Sequence, residues 1–384
     1  MKKVCFVVSS ETTVTAFLLH QIAALSRHYE VSVVANTLDT GFLERHGLGA
    51  KVFPVPVERK VSPLRDLRAL IILARLFRGQ RFDAVHSVSP KAGLLAALAG
   101  VLSRIPIRIH TFTGQVWVTR RGLPRFLLKS ADKVLAYLAT HILVDSHSQR
   151  NFLLAEKVIP RDRSYVLANG SISGVDASRF RPDPEARSMI RGGESIPETD
   201  TLFLFLGRMN RDKGVLDLAE AFSRLRAARD YVHLIFVGRD EENMLPRIRE
   251  ICSSCANAIH HVDYTDVPER YMAGADVLCL PSYREGFGSV VIEAAAAGIP
   301  AIATRIYGIT DAIEEGVTGL LYETGNVDQL TDRMKYLVED PVQRRRLGEK
   351  ARVRILRDFS QETVTRALLD YYQAALEEEF SRSC

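Results

Sequence analysis

Two glutamates and two basic residues in the second half of the chain have the types and spacing of a site for a phosphorylated ligand. Glu285 and Glu293 flank the glycine-rich segment REGFGSVVIE, and Arg208 and Lys213 lie in the segment GRMNRDKG. Arginine binds phosphate through paired hydrogen bonds, and lysine supplies a compact positive charge. An acid and base pair of the glycosidase type is therefore a weaker interpretation of the glutamates than binding of a diphosphate and the groups around it.

The two basic residues are predicted to lie where a buried strand gives way to a helix. The run LFLFL reads as the strand, Gly207 permits a tight exit from it, and a helix follows Lys213. The free N–H groups and positive dipole end of a helix N-terminus favour an anion. The alternative is that Arg208 and Lys213 are solvated surface charges, as most lysines and arginines are.

A second strand exit carries the glutamates. VLCLPS reads as a strand, YREGFG as its exit loop, and SVVIEAAAAG as a helix. Gly286 and Gly288 allow close approach of the backbone to a ligand. A glutamate among apolar helix residues needs a polar partner, so Glu293 is expected to meet ligand hydroxyls such as a ribose diol, unless it is a surface carboxylate. Free backbone amides are expected at Phe287, Gly288, Ser289 and Val290.

The elements that must position these residues alternate along the whole chain. Short apolar runs separated by helix-length segments are typical of βαβ units with parallel sheets. The sequence predicts two Rossmann-like α/β domains that face each other across a cleft, with ligands bound at the carboxyl ends of the strands. Strands are predicted at residues 4–8, 31–35, 84–88, 107–112 and 141–145, and at residues 202–207, 232–238, 277–281, 301–304 and 319–322.

The domain boundary is expected in a segment rich in proline, arginine and glycine, residues 179–200, which lacks periodicity. We predict an N-terminal domain over residues 1–180 and a C-terminal domain over residues 181–360. Residues 361–384 form an amphipathic helix with no strand after it, so we expect this helix to cross back and pack on the first domain.

Charge is spread unevenly over the chain. The net charge of +5 divides into +13 for residues 1–184 and −8 for the remainder. The segments PLRDLRALIILARLFRGQRF and WVTRRGLPRFLLKSADK combine basic residues with apolar ones, which suits an anionic membrane surface, although the apolar side chains could equally pack in the core. No nucleic-acid-binding motif is recognised. With no spanning segment or signal peptide, we expect a cytoplasmic protein held peripherally at the inner face of the plasma membrane.

Taken together, Arg208 and Lys213 in GRMNRDKG and the stretch ADVLCLPSYREGFGSVVIEAAAAGIPAIAT resemble the donor site of GT-B glycosyltransferases of family 4. The resemblance extends over nearly the whole chain, including the C-terminal crossover helix. It implies retaining transfer of a hexose or N-acetylhexosamine from a UDP-sugar. A basic first domain is consistent with a polyprenyl-diphosphate-linked saccharide as the acceptor, in the synthesis of a capsule, an O-antigen or another surface polysaccharide.

The resemblance also implies roles for individual residues. Arg208 and Lys213 would stabilise the departing diphosphate, and Glu285 with the amides after it would hold the donor sugar. Glu293 would bind the ribose, and the nucleobase would lie near Gly238 and the loop HHVDYTD. Because the chain has no Asp-x-Asp triplet, we predict neither a metal nor a cofactor, the nucleotide sugar being a substrate.

The first domain departs from the family pattern in two places. The loop after the first strand, SSETT, has hydroxyls at Ser10, Thr12 and Thr13 where a glycine-rich loop is expected, and these residues either reach the cleft or cap a helix. In IHTFTG the family's histidine position is Thr113, followed by Gly114, and both are predicted to lie in the cleft. His110 is expected to be a buried strand residue.

Two other classes of function compete with transfer. A nucleotide-sugar isomerase such as a UDP-N-acetylglucosamine 2-epimerase uses the same two-domain fold, but it needs acid and base residues at the sugar and no acceptor. A non-catalytic protein that binds carbohydrate or membrane would need neither the diphosphate clamp, which is formed by Arg208 and Lys213, nor the two glutamates. All four residues are present.

Overall fold

The computed structural model describes residues 1–58 and 62–383 and divides into two compact units. The first unit contains Met1–Ser173 and the C-terminal segment from Gln361 onward, and the second is Gly174–Ser360. The predicted boundary after residue 180 therefore lies beyond the observed one. Val175 forms a β-bridge with Ser360 and Phe180 packs in the core of the second unit, contacts that the irregular sequence around them does not reveal.

The first unit is built on a parallel sheet with the order β3-β2-β1-β4-β5-β6-β7. Valine and isoleucine are frequent in its central strands, as expected for strands covered on both faces. The strands are β1 (Lys3–Val7), β2 (Glu30–Ala35), β3 (Lys51–Pro54), β4 (Ala84–Val88), β5 (Ile107–Phe112), β6 (His141–Val144) and β7 (Ser164–Tyr165), and the helices are α1 (Glu11–Phe17), α2 (Leu19–Leu25), α3 (Phe42–Arg45), α4 (Pro63–Gln80), α5 (Pro90–Leu102), α6 (Gly122–Leu138) and α7 (His147–Ala155).

The second unit has its own parallel sheet, ordered β10-β9-β8-β11-β12-β13. Its order reverses between β8 and β11, which is where open sheets of this type bind ligands. The strands are β8 (Thr201–Leu206), β9 (Val232–Val237), β10 (Ile259–Val262), β11 (Val277–Leu280), β12 (Ala301–Thr304) and β13 (Gly319–Tyr322), and the helices are α8 (Pro184–Gly193), α9 (Val215–Ala228), α10 (Leu245–Ile251), α11 (Pro268–Gly274), α12 (Ser289–Ala296), α13 (Ile309–Ala312), α14 (Val327–Glu339) and α15 (Pro341–Asp358).

The last helix, α16 (Gln361–Ser383), belongs to the first unit. Its residues Leu368, Tyr372 and Leu376 are buried in the same core as strands β1 and β2. The Tyr372 hydroxyl lies 2.8 Å from Nδ1 of His86, in the centre of the sheet. The C-terminal helix therefore completes a core that the first 173 residues leave open.

Both sheets agree with the predicted Rossmann-like class, and the ten predicted strands are all present with small changes at their ends. The three strands that were not predicted are β3, β7 and β10, and each lies at an edge of its sheet. Their sequences are KVFP, SY and IHHV, which are short and only partly buried. Within residues 1–58 and 62–383, no helix combines the length and the apolar character needed to cross a bilayer.

Candidate active site

The candidate site lies at the carboxyl edge of the second sheet, where several strands exit side by side. Gly207 follows β8 and Gly238 follows β9, at neighbouring positions of the parallel sheet. A Cβ atom added to Gly238, which has φ +142°, would lie 2.0 Å from the carbonyl oxygen of Gly207. Glycine at position 238 is therefore required for these two exits to lie so close together.

Lys213 and Glu285 form an ion pair that joins the exit of β8 to the exit of β11. The Lys213 Nζ lies 2.5 Å from Oε1 of Glu285, and both side chains are largely buried, with exposed fractions of 21% and 13%. The Ser282 hydroxyl donates a hydrogen bond of 2.7 Å to the same carboxylate oxygen. The two loops thus meet through a charged contact that is partly withdrawn from water.

The backbone explains why these loops approach each other. Gly214 ends the short 3-10 turn Arg211–Lys213 with φ +64°, and helix α9 begins at the next residue. A Cβ atom at position 214 would lie 2.0 Å from the carbonyl oxygen of Pro281, so only glycine fits. This contact brings Lys213 within reach of the loop that carries Glu285.

Arg208 is held by an acidic residue that the sequence analysis did not single out. Its Nη1 atom lies 3.1 Å from both carboxylate oxygens of Glu241, and the Asn210 amide donates to the same carboxylate at 3.2 Å. More than half of the Arg208 side chain is exposed. Because this is a solvated ion pair, it stabilises little, and an incoming anion can replace Glu241 at modest cost.

The segment before α12 presents backbone groups rather than side chains. Gly288 occupies the N-cap position, and no side chain caps the helix. The Phe287 ring is buried against Phe359, with 5.3 Å between ring centroids, so this residue offers only its backbone to the site. Ser289 and Val290, the first two helical residues, are half-buried and have amides without intrahelical acceptors.

Glu293 lies in the second turn of α12 and is half-buried. Burial raises the pKa of its carboxyl group to about 7, the charge of Arg179 opposes this shift, and that of Glu269 adds to it. Across the described parts of the chain, no group donates a hydrogen bond to this carboxylate. It is therefore suited to accept hydrogen bonds from a ligand.

Arg179 is a further residue of this site that the sequence analysis missed. Its guanidinium pairs with Glu269 at 2.9 Å and donates to the carbonyl oxygen of Asp266 at 2.9 Å. Arg179 lies in the segment GVDASRF, which begins at the first residue of the second unit. The arginine within it was the available signal, but its charge effect on Glu293 depends on tertiary structure.

The predicted nucleobase region contains an exposed aromatic ring. The Arg239 guanidinium lies 4.9 Å from the centroid of Tyr264, and the Tyr264 hydroxyl donates to Asp266 at 2.7 Å. A ring nitrogen of His261 lies 3.4 Å from the carbonyl oxygen of Gly238. His261 belongs to strand β10, so only residues 263–266 of the predicted loop 260–266 lie outside a strand, and the contact with Gly238 at the β9 and β10 exits is made by His261.

The predicted site residues of the first unit also follow strand ends. Ser10 precedes α1, and its hydroxyl lies 3.2 Å from the hydroxyls of Thr12 and Thr13 without capping a backbone amide. Thr113 and Gly114 follow β5, and the Thr113 carbonyl accepts hydrogen bonds from Gln115 and Gln149. Both sets lie at the carboxyl edge of the first sheet.

His110 is a buried strand residue, as predicted, and is 1% exposed. Its Nδ1 atom lies 2.9 Å from the Ser87 hydroxyl. Burial lowers the pKa of His110 to about 3, with His86 adding to the shift, so the ring is neutral near pH 7.

The basic and apolar surface predicted for the first unit is present on α6 in part. Leu123, Phe126 and Leu127 each expose more than half of their side chains. Arg120, Arg121 and Lys133 are exposed around them. In contrast, Trp117 is buried, and Arg125 and Lys129 lie over its ring and pair with Glu156.

Helix α4 presents a second apolar stripe. Leu64, Leu67 and Ile71 are exposed at helical spacing, and Arg68 and Arg75 are exposed on the same helix. Arg65 pairs with Glu58 at 2.5 Å.

Cys252 and Cys255 are free and buried. Among the residues that the structure describes, no group of three or more His, Cys, Asp or Glu side chains is arranged to hold a metal ion.

Two family profiles match the chain. The profile described as "Glycosyl transferases group 1" matches residues 187–354, and "Glycosyl transferase 4-like domain" matches residues 12–170. The chain is 26% identical to the capsular polysaccharide biosynthesis glycosyltransferase CapM of Staphylococcus aureus, over 84% of this chain and 85% of that protein.

Two further similarities are of the same kind. The UDP-Gal:alpha-D-GlcNAc-diphosphoundecaprenol alpha-1,3-galactosyltransferase of Escherichia coli is 23% identical, over 74% of this chain and 73% of that protein. The crystal structure of HepE from Anabaena in complex with UDP and glucose superimposes with a TM-score of 0.80 and 19% identity, covering 97% of this chain and all of that one.

The raised pKa of Glu293 predicts a pH dependence of stability. The carboxyl group has an ordinary pKa of 4.5 in the unfolded chain and a pKa of about 7 in the folded protein. Between these two pH values the folded protein keeps a proton that the unfolded chain has lost, so the free energy of unfolding falls as the pH rises. Glu293→Gln removes this titration. We expect the variant to gain thermal stability over wild type progressively between pH 5 and 7.5.

The matched control is Glu349→Gln, which removes an exposed carboxylate from α15 of the same unit. A stability difference between wild type and Glu293→Gln that does not change with pH, or one that Glu349→Gln reproduces, contradicts the assignment.

Proposed function

The chain belongs to the GT-B glycosyltransferases of the family 4 type, and from this membership we propose that it transfers a hexose or N-acetylhexosamine from a UDP-sugar, with retention of configuration, to a polyprenyl-diphosphate-linked saccharide. The product extends a lipid-linked oligosaccharide for a surface polysaccharide such as a capsule or an O-antigen. The similarity to the Escherichia coli galactosyltransferase supports this choice of donor and acceptor, and the similarity to CapM supports a role in capsule synthesis.

The main observation behind the proposal is that Arg208 and Lys213 lie together at the exit of β8, and that Lys213 is joined through Glu285 to the loop before the uncapped N-terminus of α12. In the reaction, the bond from the sugar C1 to the diphosphate breaks, and the diphosphate leaves with the bonding electrons. An acceptor oxygen bonds to C1 and loses its proton. Two cations already in place next to the leaving group lower the energy of the charge that develops on it.

The remaining donor groups have natural partners at the same edge. Glu285 and the backbone of residues 286–290 are proposed to hold the sugar, and Glu293 the ribose hydroxyls. The unpartnered Glu293 carboxylate supports this role, because two vicinal hydroxyls are hydrogen-bond donors matched to its two oxygens. The nucleobase is proposed to lie at Gly207, Gly238 and the loop 260–266, where Tyr264 offers an exposed ring.

The acceptor is proposed to bind to the first unit. Residues 1–173 and 361–384, which make up this unit, carry a net charge of +10, and the acceptor itself carries a diphosphate. The hydroxyls of Ser10, Thr12 and Thr13, with Thr113 and Gly114, lie at the strand ends of that unit and are its candidate contacts.

The exposed apolar residues of α6 and the arginines next to them are proposed to hold the protein on the inner face of an anionic plasma membrane. Leu123, Phe126 and Leu127 would enter the interface, and Arg120 and Arg121 would bind lipid phosphates. Each basic residue near such a surface contributes about 1 kcal/mol.

Removing the two cations tests the diphosphate clamp. Arg208→Ala/Lys213→Ala should lower the rate of transfer from a UDP-sugar to a lipid-linked acceptor by at least about 100-fold, the cost usual for losing electrostatic stabilisation of this kind. UDP release and growth of the lipid-linked saccharide are the measurements.

The matched control for the clamp is Arg211→Ala. This arginine lies between the two clamp residues in sequence, but its side chain is 77% exposed and faces Glu242. Full activity of the double variant, with its fold shown intact by circular dichroism, would falsify the clamp.

Transfer is proposed to need no divalent metal, because the two cations supply the positive charge at the diphosphate. We expect the rate to be unchanged when the enzyme is dialysed against EDTA and assayed in it. A rate that is lost in EDTA and returns with Mn²⁺ or Mg²⁺ would show that the protein cations are insufficient.

Vesicle flotation tests the membrane surface. Wild type should float with phosphatidylglycerol vesicles at low salt and less so at 1 M salt, and Phe126→Ser/Leu127→Ser should float several-fold less. Val353→Ser, which removes an equally exposed apolar side chain from the second unit, should have no effect. Equal flotation of wild type and the double variant would rule out α6 as the attachment surface.

A further inference from the structure

A pocket of about 410 Å³ lies in the second unit at the edge of the sheet opposite to the candidate active site. Asp276 and Pro300, which line it, come directly before strands β11 and β12, whereas the donor loops follow the carboxyl ends of the same sheet. Volumes of about 300–1,000 Å³ are usual for sites that take small molecules. The pocket is therefore separate from the proposed donor site and large enough for a ligand of its own.

Three arginines line this pocket, and they differ in whether a carboxylate neutralises their charge. Arg187 pairs with Glu198 and Asp276. Arg344 donates to the Thr201 hydroxyl and to a backbone carbonyl, which are neutral partners. In the described part of the chain Arg345 has no ion-pair partner.

Arg344 is half-buried, and in the described part of the chain its guanidinium has no carboxylate within ion-pair distance. Burial lowers the pKa of its guanidinium, and the nearby charge of Arg187 adds to this, whereas Asp276 opposes it. Asp183 and Asp340 are the other acids close by, and each accepts a hydrogen bond from the first turn of the helix that it caps. A bound anion would supply the charge that Arg344 and Arg345 lack.

The remaining wall is mostly apolar. Ala273, Ala275, Ala297 and Ile299 line it together with four prolines. Proline and alanine walls change shape little, so the pocket is preformed. Its lining combines an apolar wall with a cationic side, the pattern that recognises a small organic molecule with an apolar body and one anionic group.

We propose that this pocket is a second binding site, for a small organic phosphate or carboxylate, and that its occupation changes the affinity of the donor site. The existence of the site does not depend on the proposed function, whereas the effect on donor affinity rests on it.

Helix α12 connects the two places. The end that begins after Gly288 faces the donor loops, and the residues after its other end, Ala297 and Gly298, line the pocket. Eight helical residues span about 12 Å. A ligand in the pocket therefore touches the same rigid helix that presents its free amides and Glu293 to the donor.

The pocket end of α12 is also clamped by α15, the helix that carries Arg344 and Arg345. Arg352 Nε donates a 3.1 Å hydrogen bond to the carbonyl of Ala296. A Cβ at Gly348 would lie 2.1 Å from the carbonyl oxygen of Gly298, so α15 is in direct backbone contact with the segment that immediately follows α12. A ligand that binds Arg345 and packs on Ala297 bridges both helices and favours one relative position of them.

The test is a titration of the full chain with phenyl phosphate, which combines an apolar ring with a phosphate, in the presence of saturating UDP so that the clamp is occupied. We expect saturable binding by ligand-observed NMR, at least five-fold weaker in Arg345→Gln and unchanged in Arg346→Gln. Arg346 is the neighbouring exposed arginine of α15 and does not line the pocket. Phenol and inorganic phosphate should each bind more weakly than phenyl phosphate.

Reciprocity tests the connection to the donor site. Saturating phenyl phosphate should change the Kd of UDP by at least three-fold, and UDP should change the Kd of phenyl phosphate by the same factor.

Absence of saturable binding of phenyl phosphate, or an equal loss of binding in Arg345→Gln and Arg346→Gln, overturns the site. Binding that leaves the Kd of UDP unchanged overturns the connection through α12. If UDP itself does not bind, the proposed function is contradicted. The pocket is then tested separately, by titrating phenyl phosphate in the absence of UDP.

Discussion

The contact on which the candidate site depends is the ion pair between Lys213 and Glu285. It joins loops that follow two different strands, and both charges are partly withdrawn from water, so the loss of either one would leave an uncompensated charge behind. The pair forms because Gly214 lets the backbone touch Pro281. The close backbone contact at Gly214 is thus the condition for the ion pair, and the ion pair then links the two loops of the proposed donor site.

At the same edge, both cations of the proposed diphosphate clamp are held in place by carboxylates. Each clamp cation is paired with a glutamate, Lys213 with Glu285 and Arg208 with Glu241. The two pairs differ in burial. Arg208 is solvated and can exchange Glu241 for a phosphate with little loss, whereas Lys213 is held by a carboxylate that also accepts from Ser282. A donor diphosphate would therefore replace Glu241 at Arg208, whereas it would bind Lys213 while the ion pair with Glu285 stays in place.

The parts that could be predicted from the sequence are those set by local pattern. Apolar runs located ten strands, among them the well-buried edge strand β13, and the exits of β8 and β11 were recognised by glycines and charges next to those runs. The edge strands β3, β7 and β10 were missed because they are short and partly exposed, and so show no clear alternation of apolar and polar residues. Glu241 and Arg179 were missed for another reason: their roles arise from side chains brought close by the fold. Phe287 was placed in the right segment, but its ring is a core residue.

The central claim is that the edge formed by the exits of β8, β9 and β11 binds the diphosphate of a nucleotide sugar. A crystal structure of the protein with UDP is the most direct measurement. We expect the diphosphate within ion-pair distance of Arg208 and Lys213, with Glu241 released from Arg208 and the ribose hydroxyls on Glu293. UDP bound away from these residues, or bound with the Arg208 and Glu241 pair intact, would contradict it.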